Sequence, residues 1–560
     1  MIGYICKYAP VEIMAGFGMD GERILPDEEN LDIAEGHIYP SICSYAKSVL
    51  QHSLKNDYEA LIMTDCCDAL KRLNDILNSK SHQNVYQVSI PRFTHGRGID
   101  LYANTLLQLI EKLEADYSKS FDLKAFLREC FRENEEDETD GEYIAFMGSR
   151  ISPSLMAECE KSCGLPIRDL TCASQNRHFT KPPNKYERMS LMRWYASCLL
   201  SQVPCMRMED IDSRKDLTDD PNLKGVIYHT VKFCDFYNFE YAEMEKNVPM
   251  LKLETDYTSA STGQLRTRLE AFFEATDTLK KDVNDREKTI MEKTDRGSGI
   301  TGGEYYVGID VGSTSTDAVI VDENGELVSR TVIKTGAKSK DAAINAYQTV
   351  LNQAGLQESD IANMITTGYG RNAVDFHSRA VTEISCHAKG VNYFFPEAKS
   401  VIDIGGQDSK VISLNDDGTV SEFIMNDKCA AGTGRFLELM ASTINITLPE
   451  MSDIGLKWAK EETISSMCTV FAESEVISLI AENKETCDIV RGLNMSIAGR
   501  IIGLVKRINA KGPFVMSGGV AQNKGVLLAL EDKLGEKILV ADDPQICGAL
   551  GAALLAMNNE

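Results

Sequence analysis

Two aspartates, Asp310 and Asp403, each close an apolar run and are followed within two residues by glycine, a pattern that can hold a hydrated cation beside the oxygens of a phosphate chain. The first stretch, 306–321, passes through Asp310, Gly312, Ser313, Thr314 and Asp317 and then turns at 322–325. The second, 401–412, passes through Asp403, Gly405, Gly406, Gln407, Asp408 and Lys410 and turns at 415–418. Glycines let backbone approach an anion, N–H groups in such a turn cradle phosphate oxygens, and Mg²⁺ prefers hard oxygen ligands. One turn of this kind alone is an ordinary hairpin. Two with matched flanks read as an internal duplication with a nucleotide between the copies. A third glycine loop, Ser517-Gly518-Gly519-Val520, follows the apolar run 514–516 and precedes a helical pattern. In the same arrangement it contacts the adenosine.

Cysteine is the second residue type with chemistry to offer. Eleven of the sixteen lie in residues 1–272. No Cys-Xaa-Xaa-Cys occurs, which argues against a zinc ribbon, a bacterial-ferredoxin run or a thioredoxin-type pair. Several cysteines instead follow strand-like runs: 60–64 leads into Cys66 and Cys67, 167–171 into Cys172, and 225–229 into the segment bearing Cys234. Ligands on loops after parallel strands converge at the carboxyl edge of an open sheet. Cys130, Cys159, Cys163 and Cys198 lie in helical patterns and are expected to pack. Cys429 precedes a glycine turn and a helical pattern, which would seat its thiolate at a helix N-terminus.

Positioning these groups requires several elements. Short apolar strands alternate with helices over 1–272, which reads as two α/β subdomains, about 1–131 and 142–272, separated by the solvated acidic stretch 132–140. A helical and then glycine-rich linker follows at 273–303, and the duplicated nucleotide-binding region covers 304–560. A net charge of −25 speaks against nucleic acid as a partner. No apolar stretch reaches membrane-spanning length and the N-terminus lacks signal-peptide features, so the expected location is cytoplasmic, with thiols reserved for metal and packing rather than disulfides.

The duplicated region, together with the segments 383–390, 426–438 and 467–475, resembles the ATP-dependent activators of 2-hydroxyacyl-CoA dehydratases and benzoyl-CoA reductases, a branch of the acetate and sugar kinase, Hsp70 and actin superfamily. The resemblance implies an α/β architecture: a duplicated, ribonuclease-H-like (actin-like) ATPase fold here, and a pair of Rossmann-like subdomains before it. It implies ATP with Mg²⁺ around Asp310, Gly312, Ser313, Thr314, Asp403, Gly405, Gly406, Gln407, Gly518 and Gly519, with Asp403 or Gln407 orienting the attacking water. It also implies a 4Fe-4S cluster shared across a homodimer through Cys429 and Cys468, and ferredoxin or flavodoxin as donor.

The segments around Cys6, Cys43, Cys66 and Cys234 resemble the iron-sulfur subunits of 2-hydroxyacyl-CoA dehydratases, which carries Cys43, Cys67 and Cys234 over as cluster ligands. The added thiols suit the related double-cubane proteins, whose Fe8S9 group takes six cysteines; the preferred set is Cys43, Cys66, Cys67, Cys172, Cys205 and Cys234, with Cys6 in reserve. The expected function is ATP-driven electron injection onto this N-terminal cluster, reducing a small, hard-to-reduce molecule. Alternatives are a single-cubane dehydratase or aryl-CoA reductase component, and a kinase or redox-sensing ATPase. His229, Arg177, Arg207 and Lys232 lie near the candidate ligands in sequence and are expected to be satisfied structural side chains.

Overall fold

The computed structural model describes residues 1–560 except 29, 40, 133–140, 173–176, 185–186, 210, 212–213, 215, 245–247, 259–261, 280–303, 427–429, 465–467 and 559–560. The acidic stretch 133–140, the glycine-rich linker and Cys429 therefore lie outside the described residues. The chain divides into two compact units: residues 1–269 with 278–280, and residues 270–277 with 281–560.

In the first unit, the alternating apolar runs form two four-stranded parallel sheets. One contains β1 (Ile2–Tyr4), β2 (Gly21–Arg23), β3 (Ala60–Thr64) and β4 (Asn84–Val88) in the order β2-β1-β3-β4. The other repeats that order as β6-β5-β7-β8, with β5 (Tyr143–Gly148), β6 (Ile167–Asp169), β7 (Leu223–Val231) and β8 (Met250–Thr255). Both β3 and β5 are buried along their whole length, as strands covered by helices on both faces must be. The chain reverses direction across each sheet between its first and third strand, so the switch-point crevices open where β1 leads to Cys6, β3 to Cys66 and Cys67, β5 to Arg150, and β7 to Cys234.

The second unit repeats a different plan. β9 (Tyr305–Val311), β10 (Ser315–Val321), β11 (Leu327–Lys334), β12 (Ile361–Thr367) and β13 (Arg379–Ala380) form a sheet ordered β11-β10-β9-β12-β13. β14 (Ser400–Ile404), β15 (Ser409–Leu414), β16 (Val420–Asn426), β17 (Phe514–Ser517) and β18 (Ile538–Val540) form its counterpart, β16-β15-β14-β17-β18. In each, the first three strands are antiparallel and the last two are added in parallel. The duplication extends to the turns. Gly325 and Gly418 both take positive φ, and Asp322 and Asp417 each accept backbone N–H groups within their turn.

Two helices, Glu383–Phe394 and Cys547–Met557, cross with backbones almost touching. A Cβ on Gly390 would lie 1.9 Å from the Cys547 carbonyl oxygen, and one on Gly551 would lie 1.8 Å from that of Cys386. Only glycine permits the approach, which brings the N-terminal ends of both helices to the cleft between the sheets. Gly551→Ala is expected to cost about 1–3 kcal/mol by overpacking, read as a lower denaturation midpoint of the full chain. An unchanged midpoint would show that the crossing is not tightly set.

Candidate functional site

The two aspartates come together in the second unit. They line one cleft of about 520 Å³ with Gly312, Ser313, Thr314, Gly405, Gly406, Gly518 and Gly519, and with Asp317, Glu383, His387, Asp408 and Lys410. Each aspartate is seated against glycine. Added Cβ atoms on Gly368 and Gly548 would lie 2.4 and 2.1 Å from the Asp310 carboxylate oxygens, and one on Gly518 would lie 2.7 Å from Asp403 Oδ1. Gly368 and Gly518 also have positive φ. The two Asp-Gly loops meet, since a Cβ on Gly406 would lie 2.1 Å from Thr314 Oγ1. Gln407 is exposed at the tip of its turn and does not line the cleft, so of the two water-orienting candidates only Asp403 lines it.

The cleft's charge is arranged in depth. Lys410 is buried, with its Nζ 2.7 Å from Asp408, 3.0 Å from Asp403 and 3.4 Å from Glu383. His387 is wedged between the two aspartates, its Nδ1 3.5 Å from Asp403 Oδ1 and its Nε2 3.8 Å from Asp310 Oδ2. The Ser517 hydroxyl donates to Asp403 at 2.9 Å. Although burial pushes the Asp403 carboxyl up, His387, Lys410 and Ser517 outweigh it and hold Asp403 well below the ordinary range. Asp310, more distant from Lys410, is raised by burial. None of Lys410, His387 or Asp317 carried a role in the sequence reading, although all three stood inside the motifs that carried it.

The cleft is also wired to the thiol region of the same unit. The Gly405 and Gly406 carbonyls accept the N–H groups of Gly434 and Arg435 at 2.9 and 2.8 Å, which are the first residues of the helix Gly434–Thr443 that follows Cys429 in the chain. At its far end Thr443 donates to Glu473, on the helix Thr469–Ala481, which Cys468 caps. Cys468 is exposed, and the same helix exposes Val470, Phe471, Ile477 and Ile480.

In the first unit, the six preferred thiols and Cys6 lie near enough to one another that each perturbs the titration of a neighbour. Cys6 hydrogen-bonds with Cys66 and Cys66 with Cys67. Cys67 senses Cys43, which hydrogen-bonds with Cys234; Cys234 senses Cys172, Cys172 senses Cys205, and Cys205 senses Cys6. Cys43, Cys67 and Cys234 each occupy the cap position of a helix (Ser44–Lys55, Asp68–Lys80 and Asp235–Glu243), where free N–H groups favour thiolate. A hydrogen bond from Cys66 and the N–H groups of the helix lower Cys67 against its burial, whereas the hydrogen bond with Cys43 and then burial push Cys234 up. Among the described residues no three such side chains are gathered closely enough to hold a single metal ion.

Two buried cations lie among these thiols without carboxylate partners among the described residues. Lys7 is 1 % exposed, its ammonium donating to the Val203 carbonyl; burial pulls its pKa down, while Cys205, Cys172 and Cys6 push it up. Arg150 is 2 % exposed, donates to the Tyr45 hydroxyl and the Ile24 carbonyl, and keeps Nε and one terminal nitrogen without partners beside Cys172. Neither stood out in the sequence, because a lone Lys or Arg after a strand carries no pattern. Arg177 pairs with Glu12, Arg207 donates to the Ile90 carbonyl, Lys232 lies near Asp256, and His229 is buried against Ser149 and Thr255. Cys130, Cys159, Cys163 and Cys198 are buried, as expected of packing thiols.

Residues 307–556 match the model of the BadF/BadG/BcrA/BcrD ATPase family, and 6–143 and 139–276 match that of the 2-hydroxyglutaryl-CoA dehydratase D-component. A 2-hydroxyisocaproyl-CoA dehydratase activator from Clostridioides difficile is 44 % identical over 254 residues, covering 45 % of this chain and 95 % of that protein. The chain belongs to the BadF/BadG/BcrA/BcrD ATPase family. An activator of lactoyl-CoA dehydratase from Anaerotignum propionicum is 45 % identical over 252 residues, 45 % of this chain and 97 % of that one. The crystal structure of (R)-2-hydroxyglutaryl-CoA dehydratase component A from Acidaminococcus fermentans is 43 % identical, covers 46 % of this chain and 98 % of its own, and superposes with a TM-score of 0.45. No helix among the described residues is long and apolar enough to cross a membrane.

One consequence of the cleft's charge is measurable directly. Burial holds the Glu383 carboxyl up at about 8, against an ordinary 4.5, with Lys410 opposing the shift. Between those values the unfolded chain has released a proton that the folded chain retains, so stability falls as pH rises through that window and the penalty is constant above it. Glu383→Gln is expected to raise the thermal midpoint over the native chain at about pH 8 and to leave it nearly unchanged at about pH 5. Equal effects at both pH values would contradict this.

Proposed function

We propose that the chain is an ATP-driven electron-transfer protein in which the family's ATPase supplies an iron-sulfur group held by the first unit. The observation that carries the reading is the group of neighbouring thiols Cys6, Cys43, Cys66, Cys67, Cys172, Cys205 and Cys234 beside two buried cations, Lys7 and Arg150, that have no carboxylate partner among the described residues. Burying a cation without a counter-charge is costly, and an anionic cluster on thiolates would offset it. The number and spread of the thiols favour a polynuclear group, a double-cubane Fe8S9 in preference to a single 4Fe-4S cubane. Bound there, such a cluster would supply electrons at low potential to a small, hard-to-reduce molecule.

The ATPase side of the proposal uses residues of the cleft. ATP with Mg²⁺ would lie against Gly312, Ser313, Thr314, Gly405, Gly406, Gly518 and Gly519, with Asp310 and Asp403 toward the metal and the attacking water. His387 and Lys410 keep Asp403 ionised and so able to accept a hydrogen bond from that water. A change at Gly405 and Gly406 would reach the segments bearing Cys429 and Cys468 through the hydrogen bonds to Gly434 and Arg435 and the Thr443–Glu473 contact. Two cysteines per chain cannot complete four-thiolate ligation, so a 4Fe-4S cluster there requires a second copy, and the exposed apolar face of Thr469–Ala481 supports a homodimer. Ferredoxin or flavodoxin would serve as donor, in the cytoplasm.

The test is anaerobic. With a one-electron donor present, reduction of the first unit's cluster followed by EPR is expected to proceed with MgATP and to stop without nucleotide or with a non-hydrolysable analogue. Equal reduction in all three conditions would remove ATP from the mechanism. Phosphorylation of an added acceptor with no electron consumption would favour the kinase reading.

A further inference from the structure

The two lobes of the ATPase unit share the register of their first hairpin, and one position of that register carries opposite charges. Across the β9–β10 pair Asp310 stands opposite Asp317, and across β14–β15 Asp403 stands opposite Lys410. The same register position therefore carries a cation in the second lobe and a carboxylate in the first. Asp317 is 5 % exposed and lines the cleft. Its Oδ2 meets the Ser315 hydroxyl at 3.4 Å, while its Oδ1 is buried without a hydrogen-bond partner. Its charged neighbours are Asp310 and Asp543, both acidic, and Asp543 is already paired with Arg330 at 3.0 Å.

We propose that Asp317 ligates a metal: with Asp310 it forms a seat for a divalent, oxygen-preferring cation of the magnesium class in the first lobe, at the position where the second lobe carries its own cation in Lys410. Two facing carboxylates, one with an unpartnered buried oxygen, offer the hard ligands such an ion takes, and the open side of the cleft leaves room for the waters it keeps. The rest of the cleft agrees. Burial and then Asp310 push the Asp317 carboxyl up to about 8, while His387, Lys410 and Ser517 hold Asp403 down. The two lobes would then meet a phosphate chain with one tethered and one exchangeable positive charge. The exchangeable one allows the site to be filled before the nucleotide arrives.

The inference rests on the cleft reading given above but not on electron transfer, so failure of the redox reading would leave it standing. The experiment uses the full chain, purified anaerobically and freed of loosely held divalent ions with a chelator. Mn²⁺ is then added without nucleotide, and the free ion is read from its six-line EPR spectrum at room temperature. The native chain is expected to show a saturable site that Asp317→Asn weakens by about 10-fold or more, that Asp317→Lys abolishes, and that Asp317→Glu, which keeps the carboxylate, retains. Native-like unfolding midpoints for the Asn and Glu variants separate loss of a ligand from loss of the fold. Absence of a saturable Mn²⁺ site in the native chain, or equal affinity in native and Asp317→Asn proteins, would overturn the proposal.

Discussion

Buried charge that the protein neutralises only in part is the constraint around which both units are built. In the first unit Lys7 and Arg150 are cations with thiols for neighbours and no carboxylate partner among the described residues. In the second, Asp310, Asp317, Asp403, Asp408 and Glu383 share one cleft with a single buried lysine. An uncompensated ion in a low-dielectric interior costs several kcal/mol, so a fold keeps such groups only where a ligand of opposite sign repays the cost. The signs are complementary to the proposed occupants: an anionic cluster in one place, and a metal ion with a nucleotide in the other.

The same constraint explains the glycines. Asp310 and Asp403 sit deep because Gly368, Gly548 and Gly518 yield the space a Cβ would take, and the loops can meet because Gly406 lies against Thr314. Tight seating is what lets a small change at the loop carbonyls be felt at the start of the helix Gly434–Thr443, since those carbonyls hold its first N–H groups. Cys468 caps the next helix in that chain of contacts. The thiols of the first unit are positioned by the ends of elements: three sit at helix caps, Cys6, Cys66 and Cys172 follow strands, and Cys205 lies in the loop after the helix Arg188–Leu200.

Much of this was legible in the sequence because it depends on local pattern. The Asp-Gly turns, the repeated hairpins and the strand-end cysteines are all read from period and punctuation, and the structure brings together the glycines of three loops spread over about two hundred residues. What sequence could not supply was pairing across strands. Asp317 and Lys410 occupy the same register position in their hairpins, but their opposite charges acquire meaning only once Asp310 and Asp403 are seen facing them. Lys7 and Arg150 were passed over for the same reason, since burial is a property of the assembled subdomains. Gln407 shows the converse: its place in the motif implied a role in the cleft, and the turn points it to solvent.

The measurement that bears most directly on the central claim is iron and acid-labile sulfide per chain after strictly anaerobic purification. About ten irons per chain are expected, eight on the thiols of the first unit and half of a four-iron cluster shared between two copies. About six would reduce the first unit's group to a single cubane. Iron confined to about two per chain would contradict the account, leaving the seven thiols and their two buried cations without the anionic group that the charge requires.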